Sequence, residues 1–321
     1  ELAELGAVYD SGALSNRNLI INGDFSISQR GDYSSATAIS TATYYLDRWK
    51  TDISGVSATI EHDAVDLPNG ITTKSAKIAA SSSASGYMQL TQPIETQSFM
   101  DNRKVTISAY VRSNNANTRI RVEGAVSGNF DGTAHTGGGG WELLKETITV
   151  VNSVSAFRAG VIMWNSGAIS ISSGDFLEIA HFQAEFGTEA TPFEHRSIGD
   201  ELRRCQRYYE VLNQNSRNSA GGDGFNNVAT GASNGSNVYG NLSFKVTKRG
   251  RPAVAAEGSA KFRTFGDGTY ANLVAGEFYS PAVETVRIRV DTNGFSAGQA
   301  GAIEFDGANS TNGFISIDAE L

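Results

Sequence analysis

Apolar and polar residues alternate with a period of two through most of this chain, and that alternation leaves few folds open. Val105, Ile107, Ala109 and Val111 alternate with Thr106, Ser108, Tyr110 and Arg112. Ile120 and Val122 alternate with three charged residues, Arg119, Arg121 and Glu123. The same rhythm marks Ile148 and Val150, Ile169 and Ile171, and further on Leu242, Phe244 and Val246, then Val286, Ile288 and Val290, Ile303 and Phe305, and Ile315 and Ile317. Successive side chains of a strand point to opposite faces, so each run describes a strand with one buried and one wet face. Many such strands in series predict antiparallel sheets stacked face to face. Leu19 and Ile21 read as the first strand, ending at the Asn22-Gly23-Asp24 turn. Phe176 to Phe186 is apolar on both sides of the alternation in its first half, which predicts an inner strand near the end of a first domain. Between the strands lie turn residues, as in Gly266-Asp267-Gly268, Asn293-Gly294, Asp306-Gly307 and Asn312-Gly313.

One segment breaks the rhythm. Ser197 and Asp200 have capping-box spacing, and Ile198, Leu202, Cys205, Tyr209 and Leu212 then recur at steps of four and three. This predicts a connecting helix over 197–212, with Arg203, Arg204 and Arg207 off its apolar stripe. The stripe can pack on its own domain or form a short seam on a threefold axis. From Asn213 to Asn237 the chain is rich in Asn, Gly and Ser and reads as a loop or linker. The expected organisation is a linker or stalk remnant over 1–17, a β-sandwich over 18–196, the helix, and a smaller β domain over 213–321.

Length and charge narrow the function classes. The 321 residues suit two domains. The net charge is -8 with no Lys/Arg-rich run, which argues against a nucleic-acid partner. No apolar stretch reaches membrane-spanning length, so no membrane insertion is expected. The lone cysteine, Cys205, excludes an intrachain disulfide and reads as a buried helix residue.

Candidate chemistry is sparse. Gly231-Ala232-Ser233-Asn234-Gly235 matches Gly-x-Ser-x-Gly by letter, but it lies in a polar segment with no helix pattern after it. His62, His135, His181 and His195 are far apart in sequence and show no metal spacing. Asn22 and Asp24 with Glu178 or Glu185 are oxygen donors of the kind calcium takes, but their spacing is undiagnostic and no cofactor is expected. Trp49, beside Asp47 and Arg48, is either a sugar-stacking platform or a core residue, and the core reading is preferred. Ser127 to Trp141, with Phe130, Asp131, His135 and the run Gly137 to Gly140, reads as a long hairpin loop, with ligand binding as the alternative.

Several motifs together resemble a widespread bacteriophage tail-fibre and virion-protein family. They are Asn18-Leu19-Ile20-Ile21-Asn22-Gly23-Asp24-Phe25, Gln29-Arg30-Gly31 and Tyr45-Leu46-Asp47-Arg48-Trp49. Further on come Gln183-Ala184-Glu185-Phe186-Gly187, Ala190-Thr191-Pro192-Phe193-Glu194-His195-Arg196 and Cys205-Gln206-Arg207-Tyr208-Tyr209. Gly294-Phe295, Ala297-Gly298-Gln299 and Asp318-Ala319-Glu320-Leu321 resemble the family's C-terminal end.

The resemblance implies an all-β fold: a jelly-roll-like antiparallel sandwich like that of carbohydrate-binding modules, a connecting helix, then a smaller C-terminal β domain. It also implies a homotrimer on the virion, joined to upstream tail or fibre proteins. The expected function is attachment to a host-surface glycan without catalysis; the alternative is a virion structural or decoration protein. Recognition is expected in the distal second domain, where Arg263, Phe265, Asp267 and Tyr270 cluster around a Gly-Asp-Gly turn.

Overall fold

A computed structural model describes residues 16–95, 100–151, 157–212, 226–233, 237–257, 260–264, 270–272, 278–279, 281–291, 296–298, 300–305 and 314–320. The chain divides into two compact units, Glu1–Glu201 and Leu202–Leu321. Among the described residues no helix is long and apolar enough to cross a membrane.

The first unit contains β1 (Thr37–Ala38), β2 (Thr43–Leu46), β3 (Trp49–Ser54), β4 (Ala58–Glu61), β5 (Ala64–Asp66), β6 (Thr72–Lys74), β7 (Ala76–Ala80), β8 (Ala84–Ile94), β9 (Lys104–Ser113), β10 (Thr118–Val126), β11 (Gly128–Ala134), β12 (Trp141–Thr149), β13 (Phe157–Met163), β14 (Ile169–Ile171) and β15 (Phe176–Phe186). One sheet has the order β1-β4-β7-β15-β9-β12, the other β11-β10-β13-β8-β3-β2 with β14 also on β8. From β7 to β10 each strand lies in the sheet opposite its predecessor, which is the winding of a jelly-roll-like sandwich. The alternation in β9 is the reason: Val105, Ile107, Ala109 and Val111 are all fully buried and face the apolar row of the other sheet, Met88 and Leu90 on β8 and Ala159, Val161 and Met163 on β13. β15 is an inner strand, between β7 and β9.

Two local expectations fail in the first unit. Leu19 to Ile21 do not form a strand, although Leu19 N still donates to Ala184 O at 2.8 Å. This stretch docks through side chains instead: Asn18 Oδ1 accepts from Ile20 N at 3.0 Å and from Ala184 N at 3.1 Å. Ser127–Trp141 is not one long loop, because Gly128–Ala134 forms β11 and pairs with β10. The remaining turn is folded on His135, which is buried; its Nδ1 accepts from Gly137 N at 2.8 Å and its Nε2 lies 3.1 Å from Gly140 O.

The motif residues build the core. Asn22 is fully buried with φ +58, and its amide donates to Ile27 O (2.8 Å) and Asp47 O (3.1 Å) while its Oδ1 accepts from Ile27 N (2.9 Å). Asp47 accepts from Gln29 N and from Gln29 Nε2, both at 2.6 Å. Trp49 is a core residue with no exposed surface: its Nε1 donates to Asn22 O at 2.8 Å, and its ring meets Phe25 and Phe182 at 4.8 and 5.3 Å. The indole thus satisfies its one polar atom and keeps its large apolar contribution.

The helix, α1, spans Ile198–Gln206, and Ser197 caps it: Asp200 N donates to Ser197 Oγ at 3.2 Å. It is shorter than 197–212. Tyr209–Leu212 is instead a strand, β16, pairing with the strand at Phe314–Asp318. All four of its residues are buried, and a short strand buried on both faces imitates a helical stripe in sequence. Ile198, expected on the buried stripe, is 70% exposed.

The second unit continues with β17 (Asn226–Ser233), β18 (Asn237–Ser243), β19 (Ala253–Glu257), β20 (Ala260–Thr264), β21 (Tyr270–Asn272), β22 (Phe278–Tyr279), β23 (Thr285–Asp291), β24 (Ala300–Phe305) and β25 (Phe314–Asp318). Three strands run β16-β25-β19, and seven run β21-β20-β24-β17-β18-β23-β22. The stretch read as a linker therefore holds a strand, β17, whose final residues Gly231 to Ser233 carry the Gly-x-Ser letters; 213–225 and 234–236 lie outside the described residues. Glu210 and Lys248 pair with no exposure of either side chain, and Lys248 Nζ also donates to Gln206 O at 2.6 Å.

Candidate functional site

A solvent-facing strand position is ordinarily polar, and the outer face of the β12-β9-β15 layer departs from that. Register aligns Leu143 with Tyr110 and Lys145 with Ser108 across β12 and β9, and Ser108 with Gln183 across β9 and β15. Leu143 is 45% exposed and Tyr110 half-buried.

On β15 the phase of the alternation slips. Leu177 and Ile179 point into the core, and so do Phe182 and Ala184, which needs one extra residue between the pairs. The register shift falls there, between Ala180 and Gln183, as a β-bulge. His181 occupies it with φ +48, a left-handed conformation that costs a non-glycine residue about 1–3 kcal/mol and is often found at functional sites.

The segment after β15 supplies the wall. Glu185 accepts from Thr191 N at 2.8 Å and from Thr191 Oγ1 at 2.7 Å. Glu194 N donates to Gln183 Oε1 at 2.8 Å, and Glu194 Oε2 accepts from Asn18 N at 2.9 Å. Arg196 Nη1 donates to Ile20 O at 2.9 Å, and its guanidinium also pairs with Glu194 and Glu201. Burial works to raise the Glu194 pKa, but backbone donors from Asn18, Asn16 and Arg17 and the Arg196 charge outweigh it and hold the carboxyl below its usual range. With Glu194 and Arg196 turned to this anchor, Phe193 and His195 line the cleft. Phe193 stacks on His181 with centroids 4.3 Å apart and planes 8° apart, and His195 stands edge-on to both rings at 5.1 Å.

The result is a cleft of about 470 Å³, within the usual range for small-ligand sites. Its floor is Ser108, Tyr110, Leu143, Lys145 and His181; Thr191, Phe193 and His195 form one wall, and Asn69 and Ile71, at the β5–β6 turn, form the other. His181 is 3% exposed, and its Nε2 has no hydrogen-bond partner among the described residues. Burial, then the neighbouring His195, push its pKa down to about 4 despite an opposing pull from Asp24, so the ring is neutral at pH 7. A neutral imidazole whose buried Nε2 lacks a partner among the described residues can exchange a hydrogen bond with a ligand hydroxyl that reaches it.

His181 and His195, far apart in sequence, therefore meet in space, and sequence spacing missed them. The signal was present as the phase slip at Ala180-His181. Among the described residues no group of three or more His, Cys, Asp or Glu could hold a metal ion. The residues weighed for calcium are engaged elsewhere: Asn22 with backbone, Asp24 with Ser26 N, Glu185 with Thr191, and Glu178 with Ser75 and Arg112. In the second unit, register places Arg263 on β20 opposite Tyr270 on β21; Phe265 and Asp267 lie outside the described residues.

No protein family and no curated protein matches the chain. Among solved structures it is similar to the enzymatically active domain of tailspike protein 4 from bacteriophage CBA120, at 13% identity and TM-score 0.37 over 53% of this chain and 21% of that one. It is also similar to TmCBM61 solved with β-1,4-galactotriose, at 13% identity and TM-score 0.33 over 54% of this chain and 100% of that one. A xylan-binding domain from Paenibacillus barcinonensis matches at 13% identity and TM-score 0.29 over 50% of this chain and 99% of that one. The overlays follow about half of this protein's length.

Proposed function

We propose that this chain is a segment of a phage tail fibre that binds a host-surface glycan, without catalysis, through the cleft on the outer face of β12, β9 and β15. The carrying observation is the anchored Phe193–His181–His195 group above a floor holding Tyr110 and Leu143. Sugar rings present apolar C–H faces ringed by hydroxyls, which suit aromatic faces interleaved with a few hydrogen-bonding groups. Anchoring through Glu185, Gln183 and Glu194 prepares the wall before binding, so little ordering entropy is lost. Among its described lining residues the cleft has no carboxyl group, and two carboxyls are what glycoside hydrolysis ordinarily needs. The tail-fibre role rests on the motif resemblance, and with it the proposal of a homotrimer fixed to upstream fibre proteins, which would multiply weak sites into firm attachment.

A second reading places recognition at the β20–β21 tip. It is supported by the register that sets Arg263 opposite Tyr270 on paired strands β20 and β21. A bacterial glycan array with the full chain, Phe193→Ala and Tyr270→Ala separates the two. Loss of signal with Phe193→Ala alone supports the cleft, and loss with Tyr270→Ala alone supports the tip. If the unaltered chain neither binds the array nor competes with particles for host cells, the virion structural or decoration reading replaces both.

A further inference from the structure

The cleft's charges point to a narrower ligand class. This step rests on the reading of the cleft as the glycan site. The protein is acidic overall, with a net charge of -8, so an unbiased patch would carry carboxylates. The described residues lining the cleft contain none, yet they include one lysine and two histidines. Lys145 is exposed, on edge strand β12, in register with Ser108 on the cleft floor. No described side chain pairs with its ammonium group. An edge-strand lysine also discourages strand pairing, but that duty does not require a place over an aromatic cleft. At the other side of the floor is the buried His181 Nε2, without a partner among the described residues.

From this arrangement we infer that the cleft takes an acidic glycan, one whose sugar carries a carboxylate that Lys145 pairs with while His181 exchanges a hydrogen bond with a neighbouring hydroxyl. The division of labour follows from the surroundings. Lys145 faces solvent from the edge strand, where its side chain can reach a ligand. His181 is held among Phe193, Tyr110 and His195, with Asp24 acting on it from nearby, and serves as a neutral partner. A carboxylate at Lys145 gains a charge-assisted hydrogen bond that a neutral sugar forgoes.

The test uses an array of neutral and acidic bacterial polysaccharides, followed by titration of each hit against its carboxyl-reduced form. Full-length protein is compared with Lys145→Gln, Lys145→Arg and Phe193→Ala. Hits should concentrate among the acidic polysaccharides, and reduction of the carboxyl should weaken them about tenfold, the factor that 1.4 kcal/mol represents. Lys145→Gln should cause the same loss on the acidic form, none on the reduced form, and a flatter dependence on salt. Lys145→Arg should retain the preference. Equal binding of acidic and reduced forms, with Phe193→Ala still abolishing both, overturns the acidic-ligand inference and leaves the cleft as the glycan site. Binding that survives Phe193→Ala removes the cleft reading itself, and this inference with it.

Discussion

Replacing Asn22 with alanine should cost the first unit about 3–5 kcal/mol, a large share of the stability of an ordinary domain. The side chain closes hydrogen bonds to Ile27 N, Ile27 O and Asp47 O in a site with no solvent exposure. Alanine leaves these groups without their side-chain partner, and each buried unsatisfied group costs about 1–3 kcal/mol. Three such groups sum to about 3–9 kcal/mol, and relaxation toward water brings the cost into the lower half of that range. Asn22 also sits at φ +58, where a residue with a Cβ and no local polar group is strained by about 1 kcal/mol. Asn22→Gly separates the contributions: it loses the same hydrogen bonds but adopts the conformation freely, so it should be the milder variant. All three tryptophans, Trp49, Trp141 and Trp164, belong to the first unit, so selectively excited tryptophan fluorescence reports its unfolding alone. With a urea dependence of about 2–3 kcal/mol per molar, the Asn22→Ala midpoint should fall by about 1.5 M. A drop below 0.3 M would refute the idea that this motif residue is held by its buried hydrogen bonds.

Further expectations concern titration, charge and space. His181 has a folded pKa near 4 against 6.5 unfolded, so the unfolded state binds the proton more tightly. The first unit should therefore keep its full stability above pH 6.5 and lose it progressively down to pH 4; fluorescence-detected melts of His181→Gln should show a shallower decline, and an unchanged slope would contradict the assignment. Burial also lowers the His62 pKa, so part of the slope should remain. In the second unit, Glu210→Gln leaves the Lys248 ammonium buried beside a neutral amide and should destabilise β16 and β25 by about 3–5 kcal/mol. Hydrogen exchange at Ile315 and Ile317 reads this, and unchanged protection would mean the pair is dispensable. At Gly160 an added Cβ would collide with the Leu90 carbonyl and the Thr91 backbone across the β13–β8 pair. Gly160→Ala should disrupt the sheet, as seen in its far-ultraviolet circular dichroism, and a native spectrum with a native melting point would show that the strands can part at little cost.

The alternation in Val105 to Val111 determined an inward and an outward face, and Ser197 determined where a helix begins, because each is a local pattern that a few neighbouring residues complete. Trp49 was legible as core for a similar reason, since a large aromatic amid apolar neighbours is most stable when buried. The end of the helix was not legible: Tyr209 and Leu212 fit a helical stripe, and only pairing with Phe314–Asp318, about a hundred residues away, makes them a strand. The loop read into Ser127–Trp141 failed in the same way, since β11 exists by its ladder to β10. The cleft depended most on tertiary structure. His181 reaches Phe193 and His195 because a bulge shifts the phase of β15 by one residue and because Glu185 and Gln183 pin the returning chain at Thr191 and Glu194. Sequence carries the alternation that demands a buried face, but which outward-facing residues converge on one site is set by strand register between distant segments, and register is decided by the packing of the whole sandwich.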